Sequence, residues 1–184
     1  MLAVTGLNTT IVENVRLQRP STEIVRIAEL GANFDVCDHY LFAAGVLRKK
    51  QIEEQTYAEM YESMRVNLLD VISACEKVLK TNERARICVI GSESAYLGSH
   101  DQVYAVAKAG LHAYVRWRTV GGEQSLTCIA PPIIADSGMT RARHDYPEVL
   151  EKRRIVKAAQ VAALVIDALY SPATLGRNGV EKMA

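Results

Sequence analysis

Residues Arg86 to Lys108 read RICVIGSESAYLGSHDQVYAVAK, and the folding of the rest of the chain turns on this stretch. Ile87, Cys88, Val89 and Ile90 form an apolar run of the length of a buried strand, which predicts a central position in a sheet. A polar loop containing Ser92 follows, and the alanine-rich segment after it predicts a helix that carries Tyr104 and Lys108 one turn apart. Residues at i and i+4 share a helix face, so phenol and ammonium are expected side by side. A neighbouring positive charge favours the phenolate and lowers a phenol pKa that is ordinarily ~10. Such a tyrosine exchanges a proton near neutral pH. Ser92, just past the strand end, is placed to hydrogen-bond the same substrate oxygen.

The flanking sequence supplies compatible elements. Tyr57 to Lys80 predicts a long amphipathic helix, with Met60, Met64, Leu68, Val71 and Cys75 at helical spacing and Asn67 within it. Asp38 to Gly45 is a short strand closing on Ala44 and Gly45, and Met1 to Gly6 is a first central strand ended by a tight turn. Glu13 to Pro20 alternates like a strand, and Ser21 to Leu30 predicts a helix capped by Ser21. Downstream, Leu126 to Ala130 predicts a strand, Ala158 to Tyr170 an apolar-faced helix, and Thr174 to Val180 a closing strand. His39 enters its strand at the end far from Ser92 and Tyr104, which argues against a catalytic role.

Composition bounds the partners. With 184 residues the length fits one domain, and a net charge of +1 argues against a nucleic-acid binder that neutralises many phosphates. Cys37, Cys75, Cys88 and Cys128 have no CxxC or zinc spacing and read as reduced core residues, so no metal site is expected. No basic region followed by a long apolar stretch marks a signal peptide or membrane span, and a cytoplasmic location without membrane attachment is expected.

Taken together, Val66-Asn67, Ser92, Tyr104, Lys108, the DHYLFAAG strand and the segment Pro131 to Thr140 resemble the short-chain dehydrogenase/reductase family. The likeness is good from about Asp38 onward and poor over the first third. It implies an α/β fold: one three-layer α/β/α, doubly wound, Rossmann-like domain over residues 1–184 with a largely parallel sheet. Residues 1–37 would be an atypical, shortened cofactor-binding half and 38–184 the catalytic part. It also implies hydride transfer between NAD(P) and a small carbonyl or alcohol substrate. Tyr104 would be the acid/base and Ser92 would polarise the oxygen, with Ser94 as the competing serine. Lys108 would grip the ribose and tune the tyrosine, and Asn67 would keep the proton path in order. Family members commonly assemble through the Asn67 and Tyr104 helices, so a homo-oligomer, dimer or tetramer, is implied.

The same resemblance places Gly6, Asn8, Thr10, Ile11, Arg19, Ala44, Gly45, Ile134 and Ser137, with Tyr104 and Lys108, around the cofactor. Arg19, at the end of the expected second strand, leans toward NADP, with NAD left open. The basic stretch with Arg141, Arg143, His144, Tyr146, Lys152, Arg153 and Arg154 stands where the family has its substrate lid. Departures from the family pattern are plain. The motif TGxxxGxG keeps Thr5 and Gly6 but has Thr10 and Val12 for its later glycines, side chains expected to crowd a diphosphate. Phe42 and Ala43 replace two asparagines, and Pro132 replaces a glycine. These changes support a rival reading, a dehydrogenase-like binding or assembly subunit without turnover. The enzyme reading requires Tyr104 and Ser92 to face one open cleft.

Overall fold

A computed structural model describes residues 1–30, 36–48, 50–142, 151, 153–174 and 176–183. Six strands form one sheet in the order β2 (Ile24–Arg26), β1 (Leu2–Thr5), β3 (His39–Phe42), β4 (Arg86–Ile90), β5 (Ser125–Ala130) and β8 (Asn178–Lys182). Every neighbouring pair is parallel. A second, two-stranded parallel ladder joins β6 (Ile133–Ile134) to β7 (Ile155–Val156).

Alternation along the strands explains the three layers. Ala3, Tyr40, Phe42, Ile87, Val89, Leu126 and Cys128 project to one face, where they meet Val71, Cys75, Val78 and Leu79 of α3 (Asp70–Thr81) and Leu111 and Val115 of α5 (Gln102–Trp117). Leu2, Val4, Leu41, Cys88, Ile90 and Ile129 project to the other, against α1 (Thr10–Gln18) and α7 (Ala158–Tyr170). Burial on both faces is why the central strands read as unbroken apolar runs rather than as alternation. All four cysteines are buried and unpaired. Among the described residues no helix is long and apolar enough to cross a membrane.

The first third differs from its expected form. Residues Thr10–Gln18 are a helix, not a strand. Thr9 caps it by accepting the Val12 N–H at 3.4 Å, and Ile11, Val12 and Val15 share its buried face. Within Ser21 to Leu30 the chain forms β2 followed by a 3-10 turn, Ile27–Leu30, in place of the expected helix. The predicted helix over Tyr57 to Lys80 is present as α2 (Tyr57–Met64), a π turn (Arg65–Leu69) and α3. Asn67 accounts for the π turn: its Nδ2 donates to the Ser63 carbonyl at 3.0 Å, competing for a backbone acceptor, and the Asp70 N–H reaches back to Arg65 O.

Chain direction now locates a site. From β1 the connection runs outward to β2 on one side and on to β3 and β4 on the other, so the strand order reverses beside β1. In open parallel sheets a crevice forms beyond the carboxyl ends of the strands at such a reversal.

Candidate active site

Beyond the ends of β1, β3, β4 and β5 lies a cleft of about 1140 Å³. Ser92, Tyr104 and Lys108 all line it. Tyr104 is set there by the start of α5. Asp101 is the N-cap, its Oδ1 accepting the Tyr104 N–H at 3.0 Å. The same carboxylate accepts Gln55 Nε2 at 3.0 Å and the Arg48 N–H at 2.8 Å, tying the segment after β3 to the helix. Asp101 is almost fully buried. Asp101→Ala is expected to cost about 1–2 kcal/mol, as loss of a good cap does. Chemical denaturation measures it, and an unshifted midpoint would contradict the assignment.

Lys108 follows one turn after Tyr104. Its Nζ donates to Ile90 O at 2.7 Å, which fixes the ammonium beneath the end of β4, and it lies 5.7 Å from the Tyr104 ring centre. Asn67 does not line the cleft. It is fully buried, with Oδ1 accepting the Val46 N–H at 3.1 Å and Nδ2 donating to Val46 O at 2.8 Å. Gly45 separates it from the lysine: a Cβ there would stand 3.0 Å from Asn67 Oδ1 and 4.0 Å from Lys108 Nζ. Asn67 therefore holds the backbone that borders Lys108.

The electrostatics correct one expectation. The Tyr104 phenol pKa is raised, not lowered. Burial is the main cause and the Asp101 charge adds to it, while the Ser92 hydroxyl, hydrogen-bonding the phenol, works in the opposite direction. Lys108 does not overcome burial, and burial lowers its own pKa to about 8. Both serines line the cleft; the Ser92 hydroxyl acts on the phenol, and Ser94 donates its N–H to Ser92 Oγ at 3.1 Å.

Of the residues expected around a cofactor, Asn8, Thr10, Ile11, Ala44, Gly45, Ile134 and Ser137 line the cleft with Tyr104 and Lys108. Gly6 lies behind it at φ +67, and a Cβ there would come within 2.9 Å of Ala44 N, so the turn after β1 needs glycine. Thr5 Oγ1 accepts the Ala44 N–H at 3.2 Å and locks the same crossing. The expected crowding by Val12 is absent, since its side chain is fully buried in the core facing α7. Thr10 does border the cleft, and its hydroxyl donates to Asp136 O at 3.5 Å. Ser137 caps the short helix α6 (Gly138–Arg141), and Pro132 is part of the cleft wall.

Arg19 is not at the cleft. It follows α1, so its side chain is carried to the opposite end of the sheet, where its guanidinium stacks 3.9 Å above the Tyr170 ring. The residue that ends β2 is Arg26. His39, at that same far end, stacks on Tyr170 at 4.2 Å. Of the expected lid, Arg143, His144, Tyr146 and Lys152 lie outside the described residues. Arg141, Arg153 and Arg154 line the cleft, with Arg154 3.7 Å from Glu93.

Three contributors escaped the sequence reading. Asp101 was visible in principle as an aspartate just before a helical run, a usual cap position. His112, which accepts the Ser92 N–H, and Asp136, whose Oδ1 accepts the Ala158 N–H at 2.8 Å, carry no such signal.

Residues 21–147 match the short chain dehydrogenase family. The chain belongs to that family. No curated protein sequence matches this chain to a significant degree. Similar solved structures include a short-chain dehydrogenase/reductase, glucose/ribitol dehydrogenase, from Brucella melitensis, at 18% identity and a TM-score of 0.78, covering 100% of this chain and 96% of that one. The protein lin1944 from Listeria innocua aligns at 12% identity and a TM-score of 0.80, covering 100% and 98%. A 3-alpha-hydroxysteroid dehydrogenase from Pseudomonas sp. B-0831, solved with NADH, aligns at 15% identity and 0.76, covering 99% and 94%. At these identities the likeness is one of fold. Among the described residues no cluster of His, Cys, Asp and Glu is placed to hold a metal ion.

Proposed function

We propose that this chain is a nicotinamide-dependent oxidoreductase acting on a small carbonyl or alcohol, with Tyr104 as its acid/base. The observation that carries the proposal is the shared cleft: the buried Tyr104 and Lys108 and the half-buried Ser92 converge on it from α5 and the end of β4. Family membership supplies the reaction class. The Pseudomonas relative was solved with NADH, and a structurally similar protein, BdcA, with NADPH.

The residues present fit a dinucleotide. The cleft, about 1140 Å³, is slightly larger than the range of small-molecule pockets, ~300–1,000 Å³. Gly6 and Gly45 sit where a side chain would strike Ala44 or Asn67, so glycine at both places lets the turn after β1 and the segment after β3 pack closely behind the cleft. Asn8, Thr10, Ile11, Ala44, Gly45, Ile134 and Ser137 would hold the cofactor, whose nicotinamide supplies or accepts the hydride when bound. Tyr104 gives the proton to the carbonyl oxygen, or takes it from the alcohol. Ser92 donates to that oxygen. Lys108, anchored by Ile90 O, keeps protons available beneath the tyrosine, and Asn67 keeps the adjoining backbone in place.

Arg26 takes the role first assigned to Arg19, since it ends the strand beside β1 at the register Val4 to Arg26. A guanidinium there favours a 2′-phosphate, hence NADP. Arg26→Glu is expected to weaken NADPH binding by roughly tenfold or more, the worth of a charge-assisted hydrogen bond, and to spare NADH. Equal loss for both cofactors would contradict that assignment. The reaction itself is tested by following NADPH consumption across a panel of aldehydes and ketones. Turnover that depends on Tyr104 supports the proposal, and turnover that survives its replacement by phenylalanine would refute it.

A further inference from the structure

We propose that His112 is a positioning residue for this reaction: by accepting the Ser92 N–H at Nε2 it fixes the loop that aims the Ser92 hydroxyl at the substrate oxygen. This inference rests on the role given to Ser92 above. His112 stands one turn beyond Lys108 on α5, so the same helix face grips the exit of β4 at three successive turns. Tyr104 meets the Ser92 side chain, Lys108 Nζ holds Ile90 O at 2.7 Å, and His112 Nε2 accepts the Ser92 N–H at 3.3 Å. Repetition at i, i+4 and i+8 is what one helical face supplies.

Gly91 shows how closely the ring is seated. A Cβ on that residue would fall 2.3 Å from His112 Nε2 and 2.6 Å from Cys128 Sγ, so the space over the strand exit is reserved for the imidazole. The ring is 2% exposed and lies 5.1 Å from the Tyr96 ring. Because Nε2 accepts, the ring proton is on Nδ1, which is buried without a partner. Leaving a polar atom buried and unpaired is costly, and an apolar side chain at this place would avoid the cost. The acceptor at Nε2 is the compensating function. Burial, then the charges of Lys108, Arg116 and Lys182, lower the imidazole pKa to about 4, which keeps the ring neutral and the acceptor available. The Ser92 hydroxyl is directed in turn by the Ser94 N–H at 3.1 Å.

The test compares H112L, which removes the acceptor, with H112Q, whose Oε1 can reach the place of Nε2. Ser92 amide exchange is read by NMR on the whole chain, NADPH affinity by titration, and kcat and KM on whichever carbonyl the panel yields. In H112L, NADPH affinity and KM are expected to stay within about twofold, while kcat falls roughly 10- to 100-fold, as for a displaced reacting group. Ser92 amide exchange is expected to accelerate about tenfold or more, as for a lost hydrogen bond. H112Q is expected to recover most of both. Wild-type kcat and exchange in H112L overturn the inference, as does an H112Q no better than H112L. Should H112L fail to fold, H112Q decides alone: a protected Ser92 amide with retained kcat supports the inference, and loss of either overturns it. If Tyr104→Phe abolishes turnover and H112L leaves it unchanged, only the positioning role fails. If neither lowers it, the proposed function fails with it, and the Ser92 exchange reading still decides the contact.

Discussion

Tyr104→Phe is expected to lower turnover by about 10²–10⁴-fold, the usual contribution of a positioned general acid or base. The substitution removes one oxygen and keeps the ring, whose packing in the cleft wall is otherwise preserved. Its effect on stability should be small, because the aromatic ring and its packing are kept and the phenol is neutral, its pKa raised by burial, so no buried charge is removed. The comparison is therefore between two folded proteins. Steady-state kinetics alongside thermal unfolding and cofactor titration separates the arms. A collapse of kcat with affinity and unfolding temperature close to wild type is the expected pattern. Retained kcat would remove Tyr104 from the chemistry, and a large loss of stability would mean the phenol is a structural group.

The second large effect is expected at Gly91, where no catalytic side chain exists. Gly91→Ala places a methyl group 2.3 Å from His112 Nε2, 2.6 Å from Cys128 Sγ and 2.9 Å from His112 Cδ2. Cys128 is on the central strand β5 and the imidazole is enclosed, so neither can retreat cheaply. Overpacking of this kind costs about 1–3 kcal/mol. Displacing His112 also releases the Ser92 N–H, so turnover should fall together with stability. Denaturant titration and kcat on the same preparation measure both. A wild-type midpoint would mean that the strand exit has room to spare and that the close fit of α5 over it is overstated.

Much of the architecture was legible because apolar runs and helical spacing persist over long windows. The strand at Ile87–Ile90, the strand at Leu126–Ala130 and the helix at Ala158–Tyr170 appear where the sequence placed them. The first third was not legible for a physical reason. Val15, Leu17 and the polar residues between them alternate, which mimics a strand over five residues. The helix is decided by Ile11, Val12 and Val15 packing together against α7 and by the Thr9 cap, both of which need the fold to be known. β2 is only three residues long and half-buried at the sheet edge, too short to show a period. Once that segment is read correctly, Arg19 falls at the far end of the sheet and the residue that ends β2 is Arg26.

At the site, the side chains that line the cleft could be named from the sequence, while the groups that hold them could not. Ser92, Tyr104 and Lys108 announce themselves by spacing along one strand-loop-helix unit. Asn67 was named as part of that set, yet it acts on Val46 from a π turn that no hydrophobic pattern encodes. His112 and the space at Gly91 are products of how α5 crosses the sheet. The direction of the Tyr104 pKa was misjudged because spacing reveals the neighbouring lysine and conceals the burial that outweighs it.

The most direct measurement is titration of the purified protein with NADPH and with NADH, following cofactor fluorescence and thermal stabilisation. Saturable binding, tighter for NADPH, is the expected result, with the unfolding temperature rising as ligand passes its dissociation constant. Failure to saturate with either cofactor at millimolar concentration, with no thermal shift, would contradict the account and return the chain to the status of a dehydrogenase-like binding subunit.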